Sequence, residues 1–218
     1  MTISVSNLGK RFNREWIFHG LTTEFKLGNT YAITGPNGSG KSTLMQVLWG
    51  QTPYSMGTVS YEINGAIIPD DEVFPHISIA APYMDLIEEF TLSEQIDFHF
   101  RFKKTVTDLS TKSFLEKLQL EEAANKPIRQ FSSGMKQRLK LGLSMFSACE
   151  ALFLDEPTTN LDSRSTQWYM ENLIGLTGKK LIFIATNQPT DYPIGTPIIN
   201  LSDFKRVTTP HKQGIQSS

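Results

Sequence analysis

Gly35 to Thr43 reads GPNGSGKST, a match to the pattern G-x-x-x-x-G-K-[ST]. It lies between a short apolar strand, Thr30 to Thr34, and a helical run from Ser42 to Trp49, as that pattern requires. Gly38 and Gly40 allow backbone conformations that other residues avoid. The loop Gly35-Pro36-Asn37-Gly38-Ser39-Gly40 can then turn its backbone N–H groups inward around phosphate oxygens. The helix that follows points its positive N-terminus at the same anion. Lys41 adds a point charge for the β- and γ-phosphates. Ser42, with Thr43 beside it, offers a hydroxyl to Mg²⁺. The expected ligand is ATP·Mg²⁺. An ordinary glycine loop has no need of the lysine and the paired hydroxyls.

A second metal ligand is expected at the end of another apolar strand, and ALFLDEP, Ala151 to Pro157, supplies it. Asp155 would hold Mg²⁺ through its water shell. Glu156 would face an attacking water and serve as its general base. Taken alone, Asp155 and Glu156 could equally cap a turn. Beside a phosphate loop the catalytic reading prevails.

The rest of the chain organises around these two segments. Ile3 to Leu8 and Trp16 to Phe25 read as strands joined by a turn near Asn13. Gly57 to Ile63 alternates as a strand into a turn at Asn64-Gly65, and Ile77 to Ala81 is another apolar strand. From Thr91 the period changes: Leu92, Ile96, Phe100, Phe114, Leu115 and Leu118 fall at helical spacing. A mostly helical subdomain is expected over residues 91–148, with Thr91 to Lys126 its first part and a helix at Ser133 to Ser147 closing it. Ser163 to Leu176 reads as a helix ended by Gly178. Lys180 to Ala185 and Pro197 to Leu201 read as strands. Alternating strands and helices imply a mostly parallel sheet covered on both faces. One domain is expected over 1–207, with a disordered tail over 208–218.

The 218 residues carry a formal net charge of −1, so no global basic field points to nucleic acid. The single cysteine, Cys149, follows an apolar helical run and is expected to pack, in a reducing compartment. The N-terminus alternates like a strand, so no leader peptide is expected. No apolar run approaches the roughly 18 residues of a spanning helix. If the chain works at a membrane, another polypeptide is expected to hold it there. Arg101, Lys103 and Lys104 read as a solvated helix face. Phe98, Phe100 and Phe102, with Met84 and Leu86, read either as subdomain core or as the lining of a partner groove.

Together these segments resemble the ATP-binding cassette (ABC) family. FSSGMKQR, Phe131 to Arg138, resembles its LSGGQ signature: Ser132 and Gly134 match, while Phe131, Ser133 and Met135 replace Leu, Gly and Gln. TTNLDS, Thr158 to Ser163, resembles the D-loop, with Asp162 at its key position. Motif order and spacing match from about Leu8 to Leu201. The resemblance implies an α/β P-loop NTPase core with an N-terminal antiparallel β subdomain and a small helical subdomain. It implies two cassettes, most simply two copies of this chain, packed head to tail. Ser132, Ser133 and Gly134 of one would close on ATP held by the other. It implies an ATPase peripheral on the cytoplasmic face of a membrane, driving a separate transmembrane permease. Phe12 resembles the aromatic that stacks on adenine. A packing role for Phe12 is the alternative, with Trp16 as second candidate for the stack.

Three departures stand out. Asn187, in IFIATNQP, occupies the place of the family's switch histidine. Its amide can donate a hydrogen bond but cannot shuttle a proton, so slower hydrolysis is expected. Pro82 or Tyr83 stands where the Q-loop glutamine should be, which puts that contact to Mg²⁺ and water in doubt. The altered signature implies less complete closure on ATP. Glu156 is intact. The alternatives to a transport ATPase are a nucleotide-gated dimerising module with little turnover, and a soluble family member outside transport. The second usually has paired cassettes or long coiled-coil insertions, and this chain has neither.

Overall fold

The computed structural model describes residues 1–106 and 109–205. The tail expected from Thr208 lies outside them. Two sheets build the frame. An antiparallel sheet has the order β2-β1-β4-β5, from β1 (Thr2–Phe12), β2 (Glu15–Lys26), β4 (Met56–Ile63) and β5 (Ala66–Ile68). Asn13 at φ +53° turns β1 into β2; Asn64 at +51° and Gly65 at +82° turn β4 into β5. Type I′ hairpins need positive φ at both central positions, which Asn-Gly supplies. The three-residue β5 was not anticipated: AII is too short to show a period.

The second sheet is parallel throughout, with the order β6-β7-β8-β3-β9. Its strands are β3 (Thr30–Thr34), β6 (Ile77–Ala80), β7 (Ala151–Asp155), β8 (Leu181–Ala185) and β9 (Ile198–Asn200). Every residue of β7 and β8 is buried, as strands covered on both faces must be. Their side chains divide by the two-residue period. Phe153, Phe183 and Ala185 join a core with Leu44, Leu48, Phe25 and Tyr61. Leu152, Leu154, Ile182 and Ile184 join a second core on the opposite face, with Leu139, Leu143, Trp168 and Tyr169. In the first core Phe153 stacks on Phe183, ring centroids 4.6 Å apart.

Five α-helices complete the described residues: α1 (Lys41–Leu48), α2 (Leu92–Phe102), α3 (Thr111–Leu118), α4 (Ser133–Met145) and α5 (Ser163–Leu176). Thr91 and Glu94 close a capping box at the start of α2. Gly142 brings α4 against α3, because a Cβ there would lie 2.1 Å from Leu118 Cδ2. Phe100 packs on Phe114 with centroids 5.1 Å apart, whereas Phe98 and Phe102 are exposed, so the aromatic group divides between core and surface.

Lys103 corrects the expectation of a solvated face. Its ammonium donates to the carbonyls of Phe74 and Ile77, and burial lowers its pKa. Its aliphatic stem lets it reach inward where its neighbours Arg101 and Lys104 do not. Cys149 is half-buried and accepts from Lys180 Nζ at 3.2 Å; burial pushes its thiol up, away from the reactive thiolate.

Candidate nucleotide site

β3 delivers the glycine loop to the C-terminal edge of the parallel sheet. Ser39 N–H donates to Pro36 O at 3.0 Å, and α1 begins with Leu44 N–H on Gly40 O at 2.8 Å. Gly40, at φ +103°, caps α1 and leaves room for Ile17: a Cβ there would lie 2.1 Å from Ile17 Cγ2. Lys41 is almost fully buried, and its ammonium donates to the loop's own carbonyls, Gly35 O at 2.9 Å and Pro36 O at 3.3 Å. The charge is thus held at the loop's rim by weak, neutral acceptors. A phosphate oxygen would bind it more strongly.

Asp155 ends β7 beside this loop. It is 1% exposed, and neither carboxylate oxygen has a hydrogen-bond partner. Burial raises its pKa, and the Ser42 hydroxyl and Lys41 work against that rise. Ser42 thus faces the carboxylate without closing an ordinary hydrogen bond. A buried carboxylate without a partner is costly. A hydroxyl and one carboxylate, with water, form the hard-oxygen donor set that Mg²⁺ takes. These residues therefore fit Mg²⁺.

Glu156 follows at φ +47°, a left-handed conformation that non-glycine residues avoid. Its N–H donates to Ala185 O at 2.8 Å. This turn puts Glu156 in the cavity over the loop, which Ile17, Asn37, Gly38, Lys41, Ser42 and Thr43 also line. β8 pairs with β7 on one side and β3 on the other, with Ala185 opposite both Asp155 and Ile33. Three adjacent strand ends therefore carry the loop, the two carboxylates and, after Thr186, Asn187. Asn187 Nδ2 donates to Asn37 Oδ1 at 2.5 Å.

The other anticipated residues lie outside this cavity. Ser132 caps α4, its Oγ accepting from Met135 N–H at 3.2 Å, with Ser133 and Gly134 in the first turn. Gly134 backs on Asn160 O, 3.0 Å from where a Cβ would be. Asp162 caps α5 through Ser165 N–H at 2.7 Å, and its hydrogen bonds to Ser165 lower its pKa. Phe12 is 50% exposed at the end of β1, with Lys10 Nζ 4.7 Å from its ring centroid. Trp16 instead meets His19 edge-on at 4.8 Å. Pro82 follows β6 and accepts from Lys140 Nζ at 3.2 Å. Tyr83 lines a separate groove with Trp49, Phe74, Ile79 and Met84.

Ile17 was not anticipated as a wall of the cavity. In sequence it is one apolar residue among several on β2, with no motif to mark it.

The ABC transporter family model matches residues 18–159. The lantibiotic transport ATP-binding protein SrtF of Streptococcus pyogenes is 31% identical over 165 residues, 73% of this chain and 68% of that protein. The Nod factor export ATP-binding protein I of Ralstonia nicotianae is 29% identical over 191 residues, 85% of this chain and 59% of that protein. This chain thus spans about three fifths of the length of the Nod factor relative. The dimeric MJ0796 cassette superposes with a TM-score of 0.76 at 25% identity, covering 91% of this chain and 93% of that one. This chain belongs to the ABC transporter family.

Proposed function

We propose that this chain binds ATP·Mg²⁺ and hydrolyses the γ-phosphate, as the energising subunit of a separate transmembrane partner. The observation that carries this is the buried, unpartnered Asp155 beside Ser42, with Glu156 turned into the same cavity. The relatives' names, export and transport ATP-binding proteins, support the coupling to transport.

The loop N–H groups and α1 hold the phosphates, and Lys41 exchanges its carbonyl partners for phosphate oxygens. Ser42 and Asp155 would hold Mg²⁺, which supplies charge neutralisation at the β- and γ-phosphates. Glu156 accepts a proton from the water that attacks the γ-phosphorus, as the bond to the bridging oxygen breaks and ADP leaves. Asn187 donates from the end of β8, between the strand ends that carry Glu156 and the loop, to orient that water or a γ-oxygen. Ile17 walls the cavity, and adenine stacks on the exposed ring of Phe12.

A second copy completes the site. Its Ser132, Ser133 and Gly134, at the start of α4, close on the γ-phosphate, and its Asp162 stands at the interface. The dimeric neighbour supports this arrangement. Residues 1–207 act as one ABC ATPase domain, with a helical subdomain over 91–148. The membrane partner holds the subunit at the cytoplasmic face. Among the described residues no helix is long and apolar enough to cross a membrane. Of the residues read as a partner groove, Phe98, Phe102 and Met84 are exposed and would face that partner.

A second reading, a nucleotide-gated module with little turnover, is favoured by Asn187, which has no titratable group. Single-turnover assays on the purified chain separate the two. Release of phosphate from bound ATP supports the enzyme. ATP-dependent dimers that never release phosphate support the gate.

A further inference from the structure

Between the loops after β7 and β8 lies a buried carboxylate that the proposed mechanism does not use. Asp191 is 1% exposed and ends a short 3-10 turn, Pro189–Asp191. Its Oδ1 accepts from Thr158 Oγ1 at 2.7 Å, and its Oδ2 accepts from Thr186 Oγ1. Thr158 and Thr186 are themselves buried. Thr158 stands two residues after Glu156, and Thr186 immediately precedes Asn187. One carboxylate therefore ties together the two loops that carry the proposed base and the proposed γ-phosphate donor.

The tie is anchored on several sides. Tyr169 OH, from α5, donates to the Asp191 backbone carbonyl at 2.8 Å. Gln188 N–H donates to Thr186 Oγ1 at 2.9 Å, which fixes the direction of the Thr186 hydroxyl proton toward Asp191. From α4, Gln137 Nε2 donates to Pro157 O at 2.8 Å, between Glu156 and Thr158. The helix that begins at Ser132 is thus bonded to the segment that Asp191 holds.

We propose that Asp191 is a positioning residue: its carboxylate clamps Thr158 and Thr186 so that Glu156, in the cavity, and Asn187, bonded to Asn37 of its lining, keep their spacing. This rests on the hydrolysis reading above. Charge-assisted bonds to a carboxylate are stronger than neutral ones, and burial excludes competing water. Glu156 sits in a left-handed turn that relaxes unless its surroundings hold it. A clamp two residues downstream supplies that restraint. The residue acts through others and touches no nucleotide group.

The test uses the purified full chain with Thr158→Val, Thr158→Ser, Asp191→Asn and the double variant Thr158→Val with Asp191→Asn. Steady-state ATP hydrolysis, affinity for a fluorescent ATP analogue and thermal unfolding are read on each. The clamp predicts that Thr158→Val and Asp191→Asn each lower kcat about tenfold, with ATP affinity changed by less than about twofold. Thr158→Ser keeps the hydroxyl and retains near wild-type kcat. The double variant loses less than the product of the two single losses, because both act on the one carboxylate. Where Asp191→Asn fails to fold, the Val and Ser variants at Thr158 decide alone. Wild-type turnover with equal kcat in Thr158→Val overturns the clamp and leaves the hydrolysis reading standing. Equal loss in Val and Ser, tracking a fall in unfolding temperature, also overturns it. A wild-type chain that binds ATP and never hydrolyses it overturns both.

Discussion

Asn187 Nδ2 lies 2.5 Å from Asn37 Oδ1, so the loop after β8 is hydrogen-bonded directly to the phosphate loop. Asn187 can exchange that bond for one to a γ-phosphate oxygen without moving far. Removing a donor aimed at developing charge costs about a hundredfold or more in rate. Asn187→Ala is expected to lower kcat by about that factor, with ATP affinity nearly unchanged. Parallel kinetics and equilibrium binding check this, and unchanged kcat would mean that Asn187 takes no part.

Lys41→Ala removes the ammonium that now spans Gly35 O and Pro36 O. A charge-assisted bond to phosphate is worth about 1.5–3 kcal/mol. Affinity for ATP is therefore expected to fall by about ten- to a hundredfold. Titration of a fluorescent ATP analogue reads it, and unaltered affinity would remove the loop from the binding site.

Gly142→Ala places a methyl group 2.1 Å from Leu118 Cδ2, between α3 and α4. Overpacking of this kind costs about 1–3 kcal/mol. Urea unfolding is expected to show that loss, with ATP affinity retained. An unchanged midpoint would mean that Leu118 moves aside freely.

His99 is held neutral. Burial, with Lys103 nearby, lowers its pKa to about 4, against 6.5 for the free side chain. Ser147 Oγ donates to Leu143 O at 2.6 Å, which leaves His99 Nε2–H to donate to Ser147 Oγ at 2.9 Å. Above the unfolded pKa neither state binds the proton, and the full stability is present. As pH falls, the unfolded chain takes up the proton first, and stability is lost until the folded pKa is passed. The window is about pH 6.5 to 4, and the loss is at most about 3 kcal/mol. Unfolding across that range, compared with His99→Gln, is expected to show a slope that the variant lacks. The same slope in both would assign it to other groups.

Much of this was legible in the chain. ALFLD and LIFIA are unbroken apolar runs, so their burial on both faces follows from composition. GPNGSGKST names its own backbone conformation through its glycines. The Asn64-Gly65 turn follows from the positive φ that those two residues tolerate. What stayed hidden depends on long-range contact. Ile17 reaches the loop only because β2 passes against Gly40. Asp191 meets Thr158 across 33 residues, and no short pattern encodes that meeting. Lys103 reads as solvated until Phe74 and Ile77 offer their carbonyls.

Steady-state ATP hydrolysis with Mg²⁺, by the purified chain beside its Glu156→Gln variant, tests the central claim most directly. Glu156→Gln keeps the side chain's size and removes the base. The account predicts measurable turnover by the wild-type chain, a fall of at least about a hundredfold in the variant, and retained ATP binding. Equal turnover in both, or none in a wild-type chain that binds ATP, would contradict it.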